Sequence, residues 1–290
     1  MIPPIIPLMT GIGLLSFTAI LSKLIVWPVV VTVFSRALLA ALFLWGWHAF
    51  QRPPAIQPHD RHRIMISGIF LAIHWWTYFK AVELAGVAIG LAALFTFPMI
   101  TALVEPWALG SKWSWKMVGS ALIGGIGVAI LVWGNATQPS IIQGVAIGIC
   151  SAIAYTCRNL IAKPIMHRCS GTQVMQVQSG VAALIYLPII LLMPNLTSNL
   201  QLSIEQWIYM FALGTVFTGI AHALFVQGLA HFSASFISIL GCIQPLLGTL
   251  MGILILNEQP TISTWIGGGI ILIAVIMATV ATPVAENSDH

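Results

Sequence analysis

Two similar stretches of the chain decide the fold. Residues 78–100 read YFKAVELAGVAIGLAALFTFPMI, and residues 224–247 read LFVQGLAHFSASFISILGCIQPLL. Aligned on Pro98 and Pro245, Gly86 lies opposite Ser233, and each stretch has a tight break nearby, at Gly86 in the first and at His231 in the second. The break is short and joins two apolar runs, so each stretch predicts a helical hairpin. The similarity of the two stretches predicts an internal repeat.

The rest of the sequence is as apolar as these stretches. Of the 290 residues, 59% are hydrophobic and only 6% are charged, whereas a soluble domain carries about 25% charged residues. One globular core could not hide this much apolar surface from water, so the excess must face lipid. Continuous apolar runs of about twenty residues also exclude an outer-membrane barrel, whose strands alternate over about ten residues. The composition predicts an all-α polytopic membrane protein and excludes a soluble enzyme, a disordered protein and a secreted disulfide scaffold.

Polar or turn-forming breaks divide the sequence into ten apolar segments, each long enough to cross a bilayer of about 30 Å. The segments are 5–25, 29–49, 63–83, 86–109, 115–134, 141–165, 172–193, 205–229, 233–256 and 262–282. The repeat then groups them into two five-helix halves, residues 1–136 and 140–283, followed by a short tail, 284–290. Because five is odd, the second half enters the membrane upside down, as in the inverted repeats of many secondary transporters.

The basic residues of the loops predict the orientation. If the N-terminus is cytoplasmic, one side of the membrane holds all seven loop cations, which are Arg52, Arg61, Arg63, Lys112, Lys116, Lys163 and Arg168. The opposite loops contain no Lys or Arg and carry Glu205 and Glu258. By the positive-inside rule both termini are cytoplasmic. We expect a bacterial cytoplasmic (inner) membrane location, with the first apolar run retained as a helix rather than removed as a signal peptide.

These residues resemble the drug/metabolite transporter superfamily, in its ten-helix EamA-type branch. The stretches that carry the resemblance are HWWTYFKAVELAGVAIGLAALFTFPMITALVEP (74–106), SRALLAALFLW (35–45) and QPLLGTLMGILILNEQPT (244–261). The resemblance covers nearly the whole chain and implies two five-helix repeats and transport of a small solute. Members of the superfamily move amino acids, nucleotides, vitamins, choline and drugs. The first half departs from the family pattern, because it has ALGSKWS where the second has ILNEQPT; a role for the acid after the fourth helix of a half is supported only at Glu258.

Charged side chains inside the spans are the first functional candidates, because a charge in the bilayer is costly unless it is paired or faces water. Six occur: Lys23, Arg36, Lys80, Glu83, Glu105 and Arg158. Lys80 and Glu83 are three residues apart and can pair with each other, and Lys23 can reach the interface. We expect Arg36 to face the bundle and pair with Glu83 rather than line the substrate path. For Lys23, Arg36, Glu83 and Glu105 the sequence predicts a coupling or gating role.

Arg158 is the predicted anchor for a substrate carboxylate. It lies beside Tyr155 and Asn159 on a polar face that has no reason to contact lipid, and a guanidinium binds a carboxylate through paired, charge-assisted hydrogen bonds. A polar contact between helices, without a transport role, is the alternative.

Histidines and aromatic residues complete the predicted binding site. His74 and His222 lie in the third and eighth segments, one register step apart in the repeat, and either could carry a coupling proton; a buried structural role is the alternative. Pro98 and Pro245 predict bends around a cavity. The predicted substrate-binding residues are His74, Trp75, Tyr78, Phe97, Tyr155, Arg158, Asn159, His222 and Gln244.

The sequence thus predicts a secondary transporter, acting as an exporter of amino acids or related carboxylate compounds by alternating access. No ATP-binding loop of the G-x-x-x-x-G-K-[ST] type is present, so an ion or substrate gradient must drive transport. An organic cation such as choline is the alternative substrate, held over aromatic faces. An intramembrane enzyme and a lipid-linked sugar flippase are the competing classes. We expect a monomer or homodimer with no cofactor and no nucleic-acid partner. We also expect no metal, since the four cysteines follow no metal-ligand spacing.

Overall fold

The computed structural model of the chain describes residues 3–110, 113, 115–133, 138–196, 200, 202–257 and 259–280. Within these ranges thirteen α-helices form and no strand occurs. They are α1 (Ile5–Ser16), α2 (Thr18–Leu24), α3 (Val29–Gln51), α4 (Pro58–Leu94), α5 (Phe97–Leu109), α6 (Trp115–Trp133), α7 (Pro139–Ala162), α8 (Gly171–Leu192), α9 (Ile204–Gly214), α10 (Ala221–Gly228), α11 (Ala234–Leu240), α12 (Ile243–Leu256) and α13 (Ile262–Val280). A π-helical turn, Thr215–Ile220, joins α9 to α10. The predicted all-helical class is confirmed.

The outer surface of the bundle is apolar. Leu184, Phe211 and Leu254 are at least 60% exposed, as expected for side chains that face lipid. Six helical stretches are long and apolar enough to cross a membrane: Ile5–Leu24, Val29–Gln51, Ile89–Leu109, Pro139–Ile165, Gly171–Leu192 and Ile204–Gly228. Shorter apolar helices occur at Val118–Ile130 and Ile262–Ala274. The chain is therefore a multi-pass membrane protein, and several of its spans are broken rather than continuous.

Both predicted hairpins are present. Helix α4 is interrupted at Gly86, whose φ of 83° lies in the left-handed region that glycine tolerates. A Cβ atom at Gly90 would lie 2.9 Å from the Cα of Val82, although eight residues of straight helix span about 12 Å. The chain therefore folds back on itself at Gly86. In the second half, a turn over residues 229–233 joins α10 to α11.

Two spans break near their prolines, as predicted. The chain leaves α4 and enters α5 through Phe95 and Thr96, just before Pro98. It leaves α11 and enters α12 through residues 241–242, just before Pro245. Each proline stands in the first turn of its helix, where a missing backbone N–H costs nothing. Residues at both breaks, Phe95 and Phe97 in the first and Gln244 in the second, line one cavity.

Helix packing is most extensive between five pairs: α4 with α7, α6 with α13, α3 with α8, α4 with α8 and α1 with α10. Glycines permit the closest of these approaches. A Cβ at Gly144 would lie 2.7 Å from the Cβ of Ala85, and one at Gly148 would lie 2.6 Å from the Cβ of Ala93. Any larger residue at either position would therefore push α7 away from α4.

Candidate functional site

A small buried cavity lies in the middle of the bundle, where the broken helices of the two halves meet. Its volume is about 30 Å³, which is room for about two water molecules. Its lining is Leu15, Thr18, Arg36, His74, Trp75, Tyr78, Leu91, Leu94, Phe95, Phe97, Tyr155, His222 and Gln244. Seven of the nine predicted substrate-binding residues are in this lining, and Arg158 and Asn159 are not. Of the four predicted coupling or gating residues, Arg36 alone reaches it.

His74 is fixed in the cavity wall by a reciprocal contact with α7. Its Nδ1 lies 2.8 Å from the Oγ of Ser151, and that hydroxyl donates to the His74 carbonyl at 3.0 Å. The hydroxyl has one proton, so the ring Nδ1–H must be the donor in the first contact. When the ring is neutral, its single proton is therefore on Nδ1, and Nε2 is an acceptor.

Stacked rings continue the wall from α4 to α10. The His74 and Tyr155 rings lie 4.4 Å apart, and Phe97 meets Tyr155 edge-on at 5.0 Å. Tyr155 also lies 5.8 Å from Phe225 of α10. These rings join both halves of the chain, so a relative movement of the halves must rearrange them.

Arg36 is the cation of the cavity. It is fully buried, and its Nε donates to the Oγ1 of Thr218 at 2.9 Å. Its Cζ lies 4.5 Å from the Trp75 ring centre and 4.9 Å from that of Phe79. The predicted pairing with Glu83 is wrong, because Glu83 is bound by Lys80 one helical turn away and Arg36 reaches no carboxylate of the described residues.

Thr218 was not predicted as a site residue. It lies in the π-helical turn, four residues before His222, and Arg36 and His222 both line the cavity. The only signal in the sequence is a threonine in an apolar run, and serine and threonine are frequent in membrane helices for packing reasons alone.

Arg158 belongs to a separate buried network. Its Nε and Nη2 donate to the Oε1 of Gln178 at 3.1 and 2.7 Å, and its Nη1 donates to the Oδ1 of Asn159 at 2.8 Å. The amide of Gln178 in turn donates to the Oγ of Ser67 at 2.7 Å. The guanidinium therefore holds α7, α8 and α4 together, and the geometry gives no support to Arg158 as a substrate anchor.

A wide vestibule of about 620 Å³ opens at one end of the bundle, which we call the vestibule end. Lys23, Lys80 and Glu83 line it, and Lys80 Nζ lies 2.8 Å from the Oε1 of Glu83. Phe79 lines the vestibule and also contacts Arg36. Thr32, one turn before Arg36 on α3, lines it too. The Phe79 ring thus lies between the vestibule and Arg36 of the cavity lining.

At the opposite end, which we call the basic end, an ion pair joins the two halves of the chain. Arg168 donates from Nε to the Oδ2 of Asp60 at 2.8 Å and from Nη2 to its Oδ1 at 2.6 Å. The Arg168 guanidinium holds the pKa of the Asp60 carboxyl below its ordinary value of 3.8. His59 adds a contact of 3.1 Å from its Nδ1 to the same carboxylate. This forked pair was not predicted.

Glu105 closes the basic end more deeply. Its carboxylate oxygens accept the backbone N–H groups of Ala234 and Ser235, each at 3.1 Å, and the Ser235 hydroxyl. Nearby, Lys163 Nζ donates to the carbonyl of Phe232 at 2.9 Å. Glu105 therefore holds the turn between α10 and α11 against the first half of the chain, and Lys163 holds the same turn against the end of α7.

The chemistry of the cavity is that of binding. Across the described ranges, no three His, Cys, Asp or Glu side chains come together in a way that could hold a metal ion. The cavity offers aromatic walls, one guanidinium, two imidazoles and the Gln244 amide.

Two charged loop residues of the sequence predictions, Lys112 and Glu258, lie outside the described residues.

The chain is similar to transporters. The sequence profile described as the EamA-like transporter family matches residues 4–133 and 142–280. A protein named Uncharacterized transporter YxxF from Bacillus subtilis (strain 168) is 25% identical over 268 residues, which cover 89% of this chain and 85% of that protein. An Uncharacterized transporter of Archaeoglobus fulgidus is 24% identical over 202 residues, 70% of each chain. A solved crystal structure shares the fold, with a TM-score of 0.69 at 20% identity over 96% of this chain and 99% of the other.

Proposed function

The chain belongs to the EamA-like transporter family, and we propose that it is a secondary transporter that exposes its central cavity alternately to the two sides of the membrane. The observation that carries this proposal is the order of the vestibule, the cavity and the closed end along the bundle. A vestibule of about 620 Å³ at one end leads to a buried cavity of about 30 Å³, and charged contacts seal the other end. This arrangement fits a state open only to the vestibule side.

The ten predicted spans form two inverted five-helix repeats in this proposal. The family profile matches once in each half of the chain, which supports the division at residues 1–136 and 140–283. The helix packing supports this division too. If each helix is replaced by its counterpart in the other half, the α3–α8 and α6–α13 contacts are each converted into themselves. The α1–α10 contact is converted into the α4–α7 contact. The breaks before Pro98 and Pro245 are a further matched feature.

We place the basic end and both termini in the cytoplasm of a bacterial cell, because the described loop cations cluster there. A cysteine replacing Gln57 should then be protected from an impermeant thiol reagent added to intact cells, and one replacing Leu202 should react. The opposite pattern would invert the topology. In this orientation the vestibule faces outward, and export requires that the basic end open to load substrate.

The proposed substrates are amino acids or related carboxylate compounds with an apolar remainder, since the cavity combines a guanidinium with rings. An organic cation such as choline is the second candidate, favoured by the faces of Trp75 and Phe79 that already hold the Arg36 guanidinium. Lys23, Glu83 and Glu105 keep their proposed roles in gating, in view of their places in the vestibule and at the basic end. An enzymatic activity has the least support, since the family is one of transporters.

Flux measurements in proteoliposomes test the proposal. Labelled L-leucine, L-phenylalanine and choline are compared with and without an imposed pH gradient. We expect saturable uptake of an amino acid that the gradient changes, with empty liposomes as the control. Flux of choline alone would favour the cation candidate, and the absence of flux for all three would count against a transporter of either class.

The two cavity histidines are the proposed path for a coupling proton. His74→Ala and His222→Ala should each reduce the gradient-driven flux while the protein still purifies as a folded monodisperse species. His231→Ala is the matched control, because His231 lies in the exposed turn after α10. Wild-type flux in both cavity variants would remove the histidines from the mechanism.

A further inference from the structure

Unpartnered polar atoms are concentrated in the lining of the cavity. Six buried side-chain polar atoms have no hydrogen-bond partner among the described residues, and five of them belong to residues that line the cavity. The five are Nη1 and Nη2 of Arg36, Nε1 of Trp75, Nδ1 of His222 and Oγ1 of Thr18. A buried donor without a partner costs about 1–3 kcal/mol. Their convergence from α2, α3, α4 and α10 therefore indicates a group that is absent from the bundle itself.

The charge of that group follows from Arg36. The guanidinium is fully buried, and its partners are one threonine hydroxyl and two aromatic rings. The four described acids within or beside the helices have partners elsewhere: Asp60 binds Arg168, Glu83 binds Lys80, Glu105 binds Ser235 and Glu205 binds Tyr209. A buried charge without a counter-charge is strongly unfavourable. The missing group must therefore be an anion.

The geometry points to an oxyanion subsite formed by Arg36, Trp75, Thr18 and His222, which binds the carboxylate of the transported solute. The two free terminal nitrogens of Arg36 form the fork that holds both oxygens of a carboxylate, and Trp75 adds a donor that cannot accept. This inference rests on the proposed transport function, and it moves the substrate anchor from Arg158, whose nitrogens are occupied, to Arg36.

The volumes of the cavity and the vestibule indicate which part of the solute each of them holds. About 30 Å³ accommodates the two oxygens of a carboxylate in place of about two waters, but not a whole metabolite. The remainder must extend past Phe79 into the vestibule of about 620 Å³. The Phe79 ring contacts Arg36 and lines the vestibule, so it must swing aside as the carboxylate enters.

Thermal shifts of the full-length protein in nanodiscs test the subsite at constant ionic strength. The probes are phenylacetate, its neutral isostere phenylacetamide, acetate and choline. We expect phenylacetate to raise the midpoint of unfolding and to bind more tightly than acetate, because only phenylacetate has an apolar group that reaches into the vestibule. Phenylacetamide and choline should leave the midpoint unchanged. Equal binding of acetate and phenylacetate would show that the subsite accepts any small anion without contacting the rest of a solute. That result would overturn the assignment to a solute carboxylate.

Three variants separate a binding role from a structural one. Arg36→Gln should weaken phenylacetate binding by at least about 30-fold, as expected when a bidentate charged partner is lost. Arg36→Lys should retain part of the affinity, since the charge remains without the fork. Arg61→Gln removes an exposed cation at the basic end and should bind phenylacetate like the wild type.

The stability of the ligand-free variants is the second measurement. Because Arg36 has no counter-charge, Arg36→Met should unfold at the same temperature as the wild type or higher, whereas removal of a structural arginine would lower the midpoint. The inference is overturned if phenylacetate gives no shift, if Arg36→Gln still binds it, or if choline binds instead. Carboxylate binding through Arg36 without flux of any solute would contradict the transport proposal while leaving the subsite in place.

Discussion

At the basic end charged side chains join the two halves of the chain, whereas at the vestibule end the ion pair of Lys80 and Glu83 lies within a single helix. The vestibule end is joined instead by neutral contacts. Gln206 of α9 accepts from the backbone N–H of Val26 and donates to the carbonyl of Leu24, each at 3.0 Å. The difference predicts that, in the proposed alternating-access cycle, opening the basic end is the costly step.

The free-energy cost of opening each end depends on the burial of its contacts as well as on their charge. The Asp60 side chain is 1% exposed and Glu105 is buried, so their hydrogen bonds are poorly replaced by water. At the vestibule end the Lys80 and Glu83 side chains are 33% and 50% exposed, and an ion pair in that setting contributes little. Substitutions at the two ends should therefore have unequal effects, and four of them rank the contacts.

Glu105→Gln should have the largest effect. The glutamine keeps the volume but loses the charge that strengthens three hydrogen bonds to the start of α11, so we expect a loss of about 3 kcal/mol in the free energy of unfolding. Denaturant or thermal unfolding in nanodiscs measures it. A change as small as that of the exposed pair below would show that the basic end is not held by this carboxylate.

Asp60→Asn should open the basic end without unfolding the bundle. Cys169 is buried beside Arg168 and reports on this opening, so its labelling by a maleimide should become several-fold faster. Removal of the other three cysteines by serine substitution makes the signal specific. Unchanged labelling would mean that the forked ion pair does not hold the end closed.

The same variant has a defined pH dependence. The folded-state pKa of Asp60 is lowered from 3.8, so its contribution is present above that value and is lost as the pH falls through the lowered pKa. The difference in unfolding midpoint between wild type and Asp60→Asn should be constant from neutral pH down to about pH 5 and should shrink below about pH 4. A difference that grows on acidification would contradict the assigned contact.

Gln206→Leu should have a smaller effect, because it removes two neutral hydrogen bonds at the vestibule end. We expect a loss of about 1–2 kcal/mol in the free energy of unfolding. Labelling of Cys169 should not change, since the substitution lies at the other end. Faster labelling would show that the two ends are mechanically coupled in this state.

Glu83→Gln should have the smallest effect, below about 0.5 kcal/mol. The Lys80–Glu83 pair is half-exposed and spans three residues of one helix. High salt should abolish even this difference. A loss comparable to that of Glu105→Gln would remove the contrast between the two ends.

The parts of the fold that depend on local chemistry were predictable. Membrane insertion follows from composition, since too few charged residues exist to cover a soluble surface. The reversal at Gly86 follows from the freedom of glycine, and the breaks before Pro98 and Pro245 follow from the missing N–H of proline. Seven cavity residues were also predicted, and for the histidines, tyrosines and glutamine among them the reason is that a polar side chain in an apolar helix must find a polar interior.

The sequence by itself therefore determined an all-helical membrane protein, its hairpins and most of its cavity wall, while the tertiary structure decided the roles of the charges. Arg36 and Arg158 are each the only Lys or Arg of their helix, and the polar neighbours of Arg158 made it the predicted anchor. Arg158 meets the amide of Gln178, and Arg36 meets Thr218, 182 positions away, with its terminal nitrogens left free. Whether a buried cation is satisfied depends on which distant side chains packing brings to it, and no local pattern encodes that choice.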